Sequence, residues 1–415
     1  MKLRFAAVLL LFLLSLPSCG SGEEAAPKQN SPSDRATLDI SGVTQLLDLL
    51  DLIIRKNPQY KATIAWLQNR PNDEARKERE LLAQRNAEDP EVKTAIDALL
   101  SSPTYKLYYK QFRNVTPEIH RQVLCALPCT AIRSPGDIAS SLQELCGNRD
   151  SVRAWVTSVV SQIDLNKSHQ IALQWLPPGD YTLPPIHFLY DGNGDAFACD
   201  GEIGFDLYGI IFGVRPQETR FTNLSAVGVN EIEGVLAHEL HHIYAARYLY
   251  PPGREHATWR DEWKDRLIRQ IVSEGVAMQC NPLQGLRRTL KEDTTIVRYW
   301  IGQLNDKLAA LRTGSITEPQ IEAWYDSSFQ ETARMLLNEY RKRVSPTADS
   351  AAYMWQHQVD RPTMVYTLGW WMVGRISEGG KNKNTVIQLL KEPEQLFGSY
   401  NSSVPAKDKG LKINY

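Results

Sequence analysis

The sequence predicts an α+β fold that is predominantly helical and contains one small, mostly antiparallel sheet. Apolar residues recur at three- and four-residue steps from Leu38 to about Pro128, and again from Thr258 to about Leu396. Short runs of alternating β-branched and aromatic residues, which are typical of strands, occur only between residues 169 and 210. The sheet is therefore expected just before the helix that contains "HELHH", residues 238–242.

The first 18 residues have the pattern of a signal peptide. Lys2 and Arg4 begin it, and an apolar run follows that is too short to span a bilayer. The next residues, "LPSCG", match a bacterial lipoprotein processing box, so we expect cleavage before Cys19 and lipidation of its thiol. The alternative is an ordinary secretory signal. The lipoprotein interpretation places the protein in the cell envelope, anchored by lipid to the outer membrane and facing the periplasm or the cell surface.

The composition and charge of the chain indicate which classes of partner to expect. Residues 19–36 are rich in Gly, Ser, Pro and charge, which predicts a flexible tether. The formal net charge of the 415 residues is −1, and it becomes −3 without Lys2 and Arg4. No basic stripe is present, so a nucleic-acid partner is not expected. No second apolar run of membrane length follows, so the lipid on Cys19 is the expected membrane contact.

The region after the tether is predicted in three parts. Residues 37–165 form an N-terminal helical region, residues 166–400 hold the sheet and the "HELHH" helix, and residues 401–415 form a C-terminal tail. Three segments are interpreted as strands separated by Pro, Gly and Asp turns: "HQIALQWLP", "PIHFLYDGNGDAFACDG" and "EIGFDLYGI". Together they predict a meander.

One of these turns resembles a calcium-binding loop. Asp191, Asn193, Asp195 and Glu202 occupy positions one, three, five and twelve of an EF-hand pattern. Position six requires glycine for a sharp turn and carries Ala196, and the flanks are strand-like. A polar hairpin turn is therefore favoured over a calcium site.

The "HELHH" segment carries the clearest chemical signal. On a helix, residues four apart share a face, so His238 and His242 can bind one metal ion. Glu239 projects beside that metal and can accept a proton from a bound water. The surrounding sequence, "VLAHELHHIYAARY", is apolar, as in a packed helix that presents its polar groups inward. His241 is expected to point away from the metal, either behind the ligands or into solvent.

A third ligand is needed, and the spacing leaves two glutamates. A metzincin has a glycine and a histidine at fixed offsets after the second histidine, but those positions carry Ala245 and Tyr248. This excludes that class. Glu262 lies twenty residues after His242, and Glu274 lies thirty-two after it.

Helical geometry favours Glu274 as the third ligand. Its face is otherwise apolar and comprises Trp263, Leu267, Ile271, Ala277 and Met278. The face of Glu262 is polar and comprises Asp265, Arg266, Arg269 and Ser273. A carboxylate on a core-facing stripe needs a partner such as a metal, whereas Glu262 has the pattern of a solvated residue. His256, on a loop rich in Pro and Gly, is a less favoured alternative.

These motifs resemble a known family. "HELHH", "SEGVA" and, near the C-terminus, "YTLGWWMVGRI" are similar to the gluzincin peptidases, and in particular to zinc-dependent proteases catalogued as a domain of unknown function. The resemblance runs from the strand region to about Tyr400 and implies a zincin-like fold. It also implies that the Tyr366 phenol stabilises the oxyanion of a tetrahedral intermediate. The alternative is a core tyrosine beside Trp370 and Trp371. Gly369, one turn later, is expected where two helices approach closely.

The sequence thus favours an exported, lipid-anchored zinc metallopeptidase that acts on peptides or proteins. Three protein ligands leave a fourth position for water, as in catalytic zinc sites. Two alternatives stay open. One is a non-catalytic lipoprotein that binds a ligand or partner, and the other is a zinc hydrolase of non-peptide amides.

Overall fold

The computed structural model describes residues 38–58, 73–112, 115–127, 138–191, 196–207, 229–280, 294–325, 364–380 and 383–415. They fall into two compact units. The first draws on residues 1–163 and 183–229, and the second on residues 164–182 and 230–415. Within the described ranges, no helix has the length and apolar character needed to cross a membrane.

The first unit combines helices with the sheet. Its helices are α1 (Ser41–Lys56), α2 (Asp73–Glu88), α3 (Pro90–Leu100), α4 (Pro103–Gln111), α5 (Pro117–Ala126) and α6 (Ile138–Val160). Its strands are β1 (Leu38–Asp39), β2 (Ile186–Leu189), β3 (Ala196–Cys199) and β4 (Glu202–Asp206). The α+β class predicted from the sequence is confirmed. The sheet groups with the N-terminal helices, whereas the sequence interpretation placed it with the "HELHH" region.

The sheet is mixed, so the prediction of a mostly antiparallel meander is wrong for the described strands. The strand order is β1-β2-β4-β3, with β1–β2 and β2–β4 parallel and only β3–β4 antiparallel. Asp200 and Gly201, both at positive φ, form the two-residue turn of the β3–β4 hairpin. The hairpin lays β4 rather than β3 beside β2. The β2 sequence, "IHFL", is buried at all four positions, as expected for a central strand with parallel neighbours.

His187 joins three strands of this sheet. From β2, its Nδ1 lies 3.0 Å from Asp39 Oδ2 on β1, and its Nε2 lies 2.9 Å from Glu202 Oε2 on β4. The Glu202 carboxylate therefore contacts a histidine across the sheet. Strands β2 and β3, which lie on either side of residues 192–195, do not pair with each other, so the hairpin of this region is the one between β3 and β4. Asn193 and Asp195 of the calcium-loop pattern lie outside the described residues.

The first segment predicted as a strand, "HQIALQWLP", is instead largely a helix. This helix, α7, spans Leu165–Leu173, and the Asp164 side chain caps it by accepting a hydrogen bond from the Lys167 backbone N–H. Ser168 and Ala172, four residues apart, are buried on one face. The N-cap and this spacing outweigh the apolar alternation that suggested a strand, so the strand prediction is wrong here.

The second unit is helical throughout its described residues. After α7 come α8 (Val229–Leu249), α9 (Trp259–Cys280), α10 (Thr295–Thr313), α11 (Met364–Gly380), α12 (Lys383–Lys391) and α13 (Leu396–Ser403). Two short 3₁₀ helices span Pro393–Gln395 and Ala406–Leu411. Residues after 403 are packed rather than loose, with Leu411 and Ile413 buried.

Helices α9 and α11 pack backbone to backbone at two glycines. A Cβ atom added to Gly275 would lie 2.5 Å from the Gly369 carbonyl oxygen, and one added to Gly369 would lie 2.6 Å from the Ile271 carbonyl oxygen. Both distances are too short for a real side chain. The close helix approach expected at Gly369 is present in the structure, and it fixes the part of α9 that carries Glu274.

We expect Gly369→Ala to destabilise the protein by about 1–3 kcal/mol, because the added methyl group overpacks the contact with α9. Gly374→Ala, on the same helix, is the matched control, since a Cβ there meets no atom within 4 Å. The control should be neutral or more stable by up to about 1 kcal/mol. Urea unfolding measures both free energies. Equal stabilities of the two variants would contradict the glycine contact.

Candidate metal centre

Three side chains from two helices of the second unit converge on one point. His238 and His242 lie on α8, with their Nε2 atoms 2.9 Å apart. Glu274 lies on α9, and its Oε2 is 3.5 Å from His238 Nε2 and 3.4 Å from His242 Nε2. The structure thus brings together the three residues that were predicted from the sequence as metal ligands. The four-residue spacing along α8 accounts for the histidine pair.

The geometry of the three donor atoms fits a small divalent cation. A tetrahedral zinc ion with bonds of about 2.0–2.1 Å separates its ligand atoms by about 3.3 Å, close to the distances seen here. Glu274 Oε2 is also buried without a hydrogen-bond partner within the described structure. The two imidazole nitrogens lie 3.5 and 3.4 Å from it, farther than a good N–H···O hydrogen bond, which leaves room for a cation between the three atoms. Two imidazole nitrogens and one carboxylate oxygen are ligands that zinc accepts, so the residues fit a zinc ion.

The charges of the carboxylate and the imidazoles in this group compensate each other. Burial opposes ionisation of Glu274, but the charge of His242 and contacts with both imidazoles hold the pKa of this carboxyl well below its usual range. Burial disfavours the charged form of His242, yet the Glu274 carboxylate raises the pKa of this imidazole to about 9. Without a metal, the favoured state therefore pairs an ionised Glu274 with a protonated His242. A cation at this point takes the place of that proton.

Glu239, predicted as the general base, is buried beside the same group. Burial raises the pKa of its carboxyl above the usual value, the charges of His238 and His242 act in the opposite direction, and Glu274 adds to the rise. Glu239 directly follows His238 on α8 and is 8% exposed. A glutamate with a raised pKa can both accept and return a proton near neutral pH.

Ser273 contacts the second ring nitrogen of His242, a contact that the sequence interpretation missed. Ser273 Oγ lies 3.0 Å from His242 Nδ1. Ser273 shares the polar face of α9 with the exposed Glu262, but it is only 8% exposed. Its position directly before Glu274 was the available signal, because a ligating histidine usually has a polar partner for its other nitrogen.

His241 lies on α8 between the ligands and is fully buried. Its Nε2 is 3.4 Å from the Trp175 carbonyl oxygen, and it does not join the metal group. Burial, reinforced by His242 and His238, lowers the pKa of His241 to about 3, so the ring is neutral. The expectation that His241 points away from the metal holds, but the solvent-facing alternative is wrong because its side of α8 faces the segment after α7.

The competing candidates for third ligand lie elsewhere. Glu262 is exposed, and His256 Nε2 lies 3.5 Å from Asp265 Oδ2. Asp265 also accepts a hydrogen bond from Arg269 Nε at 2.6 Å.

Arg269 lies on the polar face of α9 but is only 3% exposed, so this face of the helix is partly buried. Arg269 Nη1 donates to the Leu249 carbonyl oxygen at the end of α8, which ties the two ligand-bearing helices together.

Tyr366 lies near the start of α11 and is half-buried. It is three residues before Gly369, whose backbone contacts Gly275, the neighbour of Glu274. Its helix therefore passes the ligand-bearing part of α9. The predicted role of its phenol stays a prediction.

The family comparison agrees with this site. The model of the family described as "Putative zinc dependent peptidase (DUF5700)" matches residues 96–409. The chain belongs to this family. The resemblance drawn from the motifs is confirmed, and the matched residues include His238, Glu274 and Tyr366. No curated protein and no solved structure matches the chain significantly.

Replacing each candidate glutamate tests the ligand set. We expect Glu274→Ala to weaken zinc binding by more than the ~10- to 100-fold that loss of an outer-shell partner typically costs, because it removes one of three ligands. Glu262→Ala should leave zinc affinity unchanged and alter stability by no more than about 0.5 kcal/mol. Competition with a chromophoric chelator measures both affinities. Loss of zinc from Glu262→Ala with retention in Glu274→Ala would reverse the assignment.

Proposed function

We propose that this protein is a zinc-dependent peptidase of gluzincin type with a zincin-like catalytic unit. The observation that carries the proposal is the convergence of His238, His242 and Glu274, whose donor atoms lie within 4.8 Å of one another next to the buried Glu239. The description of the family supports both the metal and the peptide substrate. Composition, which argues against a nucleic-acid partner, supports the same conclusion.

His238 Nε2, His242 Nε2 and a Glu274 oxygen would hold the zinc ion. When bound, zinc supplies Lewis acidity, which polarises a carbonyl and lowers the pKa of a water molecule to about 7. Three protein ligands distinguish such a site from closed structural zinc sites, which have four. The fixed packing of α9 at Gly275 and the link from Arg269 to Leu249 hold the ligands in position without metal.

Glu239 is the residue that moves the proton. Its carboxyl accepts a proton from the attacking water and returns it to the nitrogen of the departing amine. Burial favours return of the proton, because it raises the pKa of the Glu239 carboxyl above its usual value, while the charges of His238 and His242 act in the opposite direction.

Tyr366 is proposed to donate its phenol proton in a hydrogen bond to the oxygen that becomes negative at the reacting carbonyl. Support comes from its place on α11, one turn from the contact between Gly369 and Gly275. Tyr366→Phe is then expected to lower kcat while leaving zinc affinity unchanged.

The N-terminus is proposed to place this activity in the bacterial cell envelope. The "LPSCG" box supports lipidation of Cys19, and residues 19–36 have the composition of a tether between lipid and folded protein. On this proposal the substrate is an exported or envelope peptide or protein. Cys19 and the tether lie outside the described residues.

Glu239→Gln tests the catalytic proposal. The substitution keeps the shape of the side chain but removes the proton acceptor, so zinc binding should persist while hydrolysis of a mixed peptide library falls by about 10²- to 10⁴-fold. Glu262→Gln is the matched control, because that residue is exposed and distant from the proposed chemistry, and it should retain full activity. Mass spectrometry of the digested library measures the rates.

Two outcomes would contradict the catalytic proposal. Near-normal turnover in Glu239→Gln would exclude this glutamate as the base. A zinc-loaded parent protein that cleaves no peptide but hydrolyses non-peptide amides would exclude the peptidase assignment while leaving the metal site intact.

Cys19→Ser tests the anchor separately. We expect the variant to lose its lipid and either leave the membrane fraction or accumulate as unprocessed precursor, since the thiol is the proposed attachment point. Fractionation and immunoblotting of cells that express each form measure this. A variant that matures and fractionates like the parent would overturn the lipoprotein proposal.

A further inference from the structure

One ring nitrogen of each proposed histidine ligand faces the metal group, and the other needs a different partner. His242 directs Nε2 towards His238 and Glu274, and its Nδ1 lies 3.0 Å from Ser273 Oγ. A neutral imidazole has one N–H, so an Nε2 that offers its lone pair to a metal requires the proton on Nδ1. Ser273 Oγ is placed to accept that N–H.

Ser273 lies on the helix that carries the third proposed ligand. It directly precedes Glu274 on α9, and it is only 8% exposed. A serine hydroxyl oxygen can accept the His242 Nδ1–H while its own proton points elsewhere. The same turn of α9 therefore supplies both the carboxylate and the acceptor for the neighbouring ring.

We infer that Ser273 is a positioning residue that holds the His242 ring with its Nε2 lone pair towards Glu274, and that it thereby sets the metal affinity of the site. The inference rests on the proposed zinc binding. An acceptor for the Nδ1–H fixes the ring and makes Nε2 a better donor to a cation. Ser273 contacts the ring nitrogen that does not face the metal group.

The second unit also contains a hydroxyl–histidine contact outside the metal group, which serves as a control. Tyr244, on α8, has its phenol oxygen 2.9 Å from Nδ1 of His169 on α7, which is outside the metal group. Tyr244→Phe therefore removes a hydroxyl group from a histidine contact that takes no part in the metal group. Ser168, a fully buried serine on α7 whose hydroxyl contacts the Asp164 carbonyl oxygen, provides the corresponding serine control.

The experiment measures zinc affinity of the purified full chain by competition with a chromophoric chelator. We expect Ser273→Ala to weaken zinc binding ~10- to 100-fold, the usual effect of losing an outer-shell partner. Ser273→Thr, which keeps the hydroxyl, should restore most of the affinity. Ser168→Ala and Tyr244→Phe should bind zinc like the parent protein.

A spectroscopic readout separates positioning from general damage. In the zinc-loaded parent, ¹⁵N NMR should show His242 protonated at Nδ1, and in Ser273→Ala that signal should broaden or shift.

Parent-like zinc affinity in Ser273→Ala would overturn the inference while the zinc proposal stands. An equal loss of affinity in the Tyr244→Phe control would overturn it as well, because the effect would then not be specific to His242. A parent protein that binds no zinc would contradict the proposed function itself, a result distinct from both.

Discussion

The buried carboxylate of Glu274 is the constraint on which the second unit depends. An ionised carboxylate inside a protein costs roughly several kcal/mol unless charge and hydrogen bonds compensate it. Here the compensation comes from His238 and His242, at 3.5 and 3.4 Å, and it requires α8 and α9 to pack in one relative position. Gly275, the next residue, removes the side chain that would keep α11 away from α9. The polar site and the helix packing are therefore parts of one arrangement.

This arrangement accounts for the chemistry assigned to the site. A metal-free pair of ionised Glu274 and protonated His242 already has the charge distribution that a cation would compensate. Exchange of the proton for a metal ion should thus require little movement of the helices. The Glu239 carboxyl stays apart from this pair and keeps a raised pKa through burial. The carboxyl pKa values of two neighbouring glutamates are therefore shifted in opposite directions, each for a stated physical reason.

Helical periodicity was sufficient to predict the grouping of the three residues, because residues at four-residue steps share a face whatever surrounds them. It was not sufficient for Ser273 and Arg269. Both lie on the polar face of α9, and that face is covered at this point by α8, which no pattern within α9 can show.

The sheet illustrates the same limit of sequence-based prediction. The strands β2, β3 and β4 were located from local sequence, but their order depends on non-local pairing, and β4 rather than β3 lies beside β2. At α7, an N-cap aspartate outweighed an apolar alternation.

The central claim is that His238, His242 and Glu274 bind one zinc ion. X-ray diffraction from crystals of the zinc-loaded protein, recorded on both sides of the zinc absorption edge, tests it most directly. A single anomalous peak about 2.0–2.2 Å from both Nε2 atoms and a Glu274 oxygen is the predicted result. A well-ordered site with no peak, or a peak bound by other residues such as Glu262 or His256, would contradict the claim.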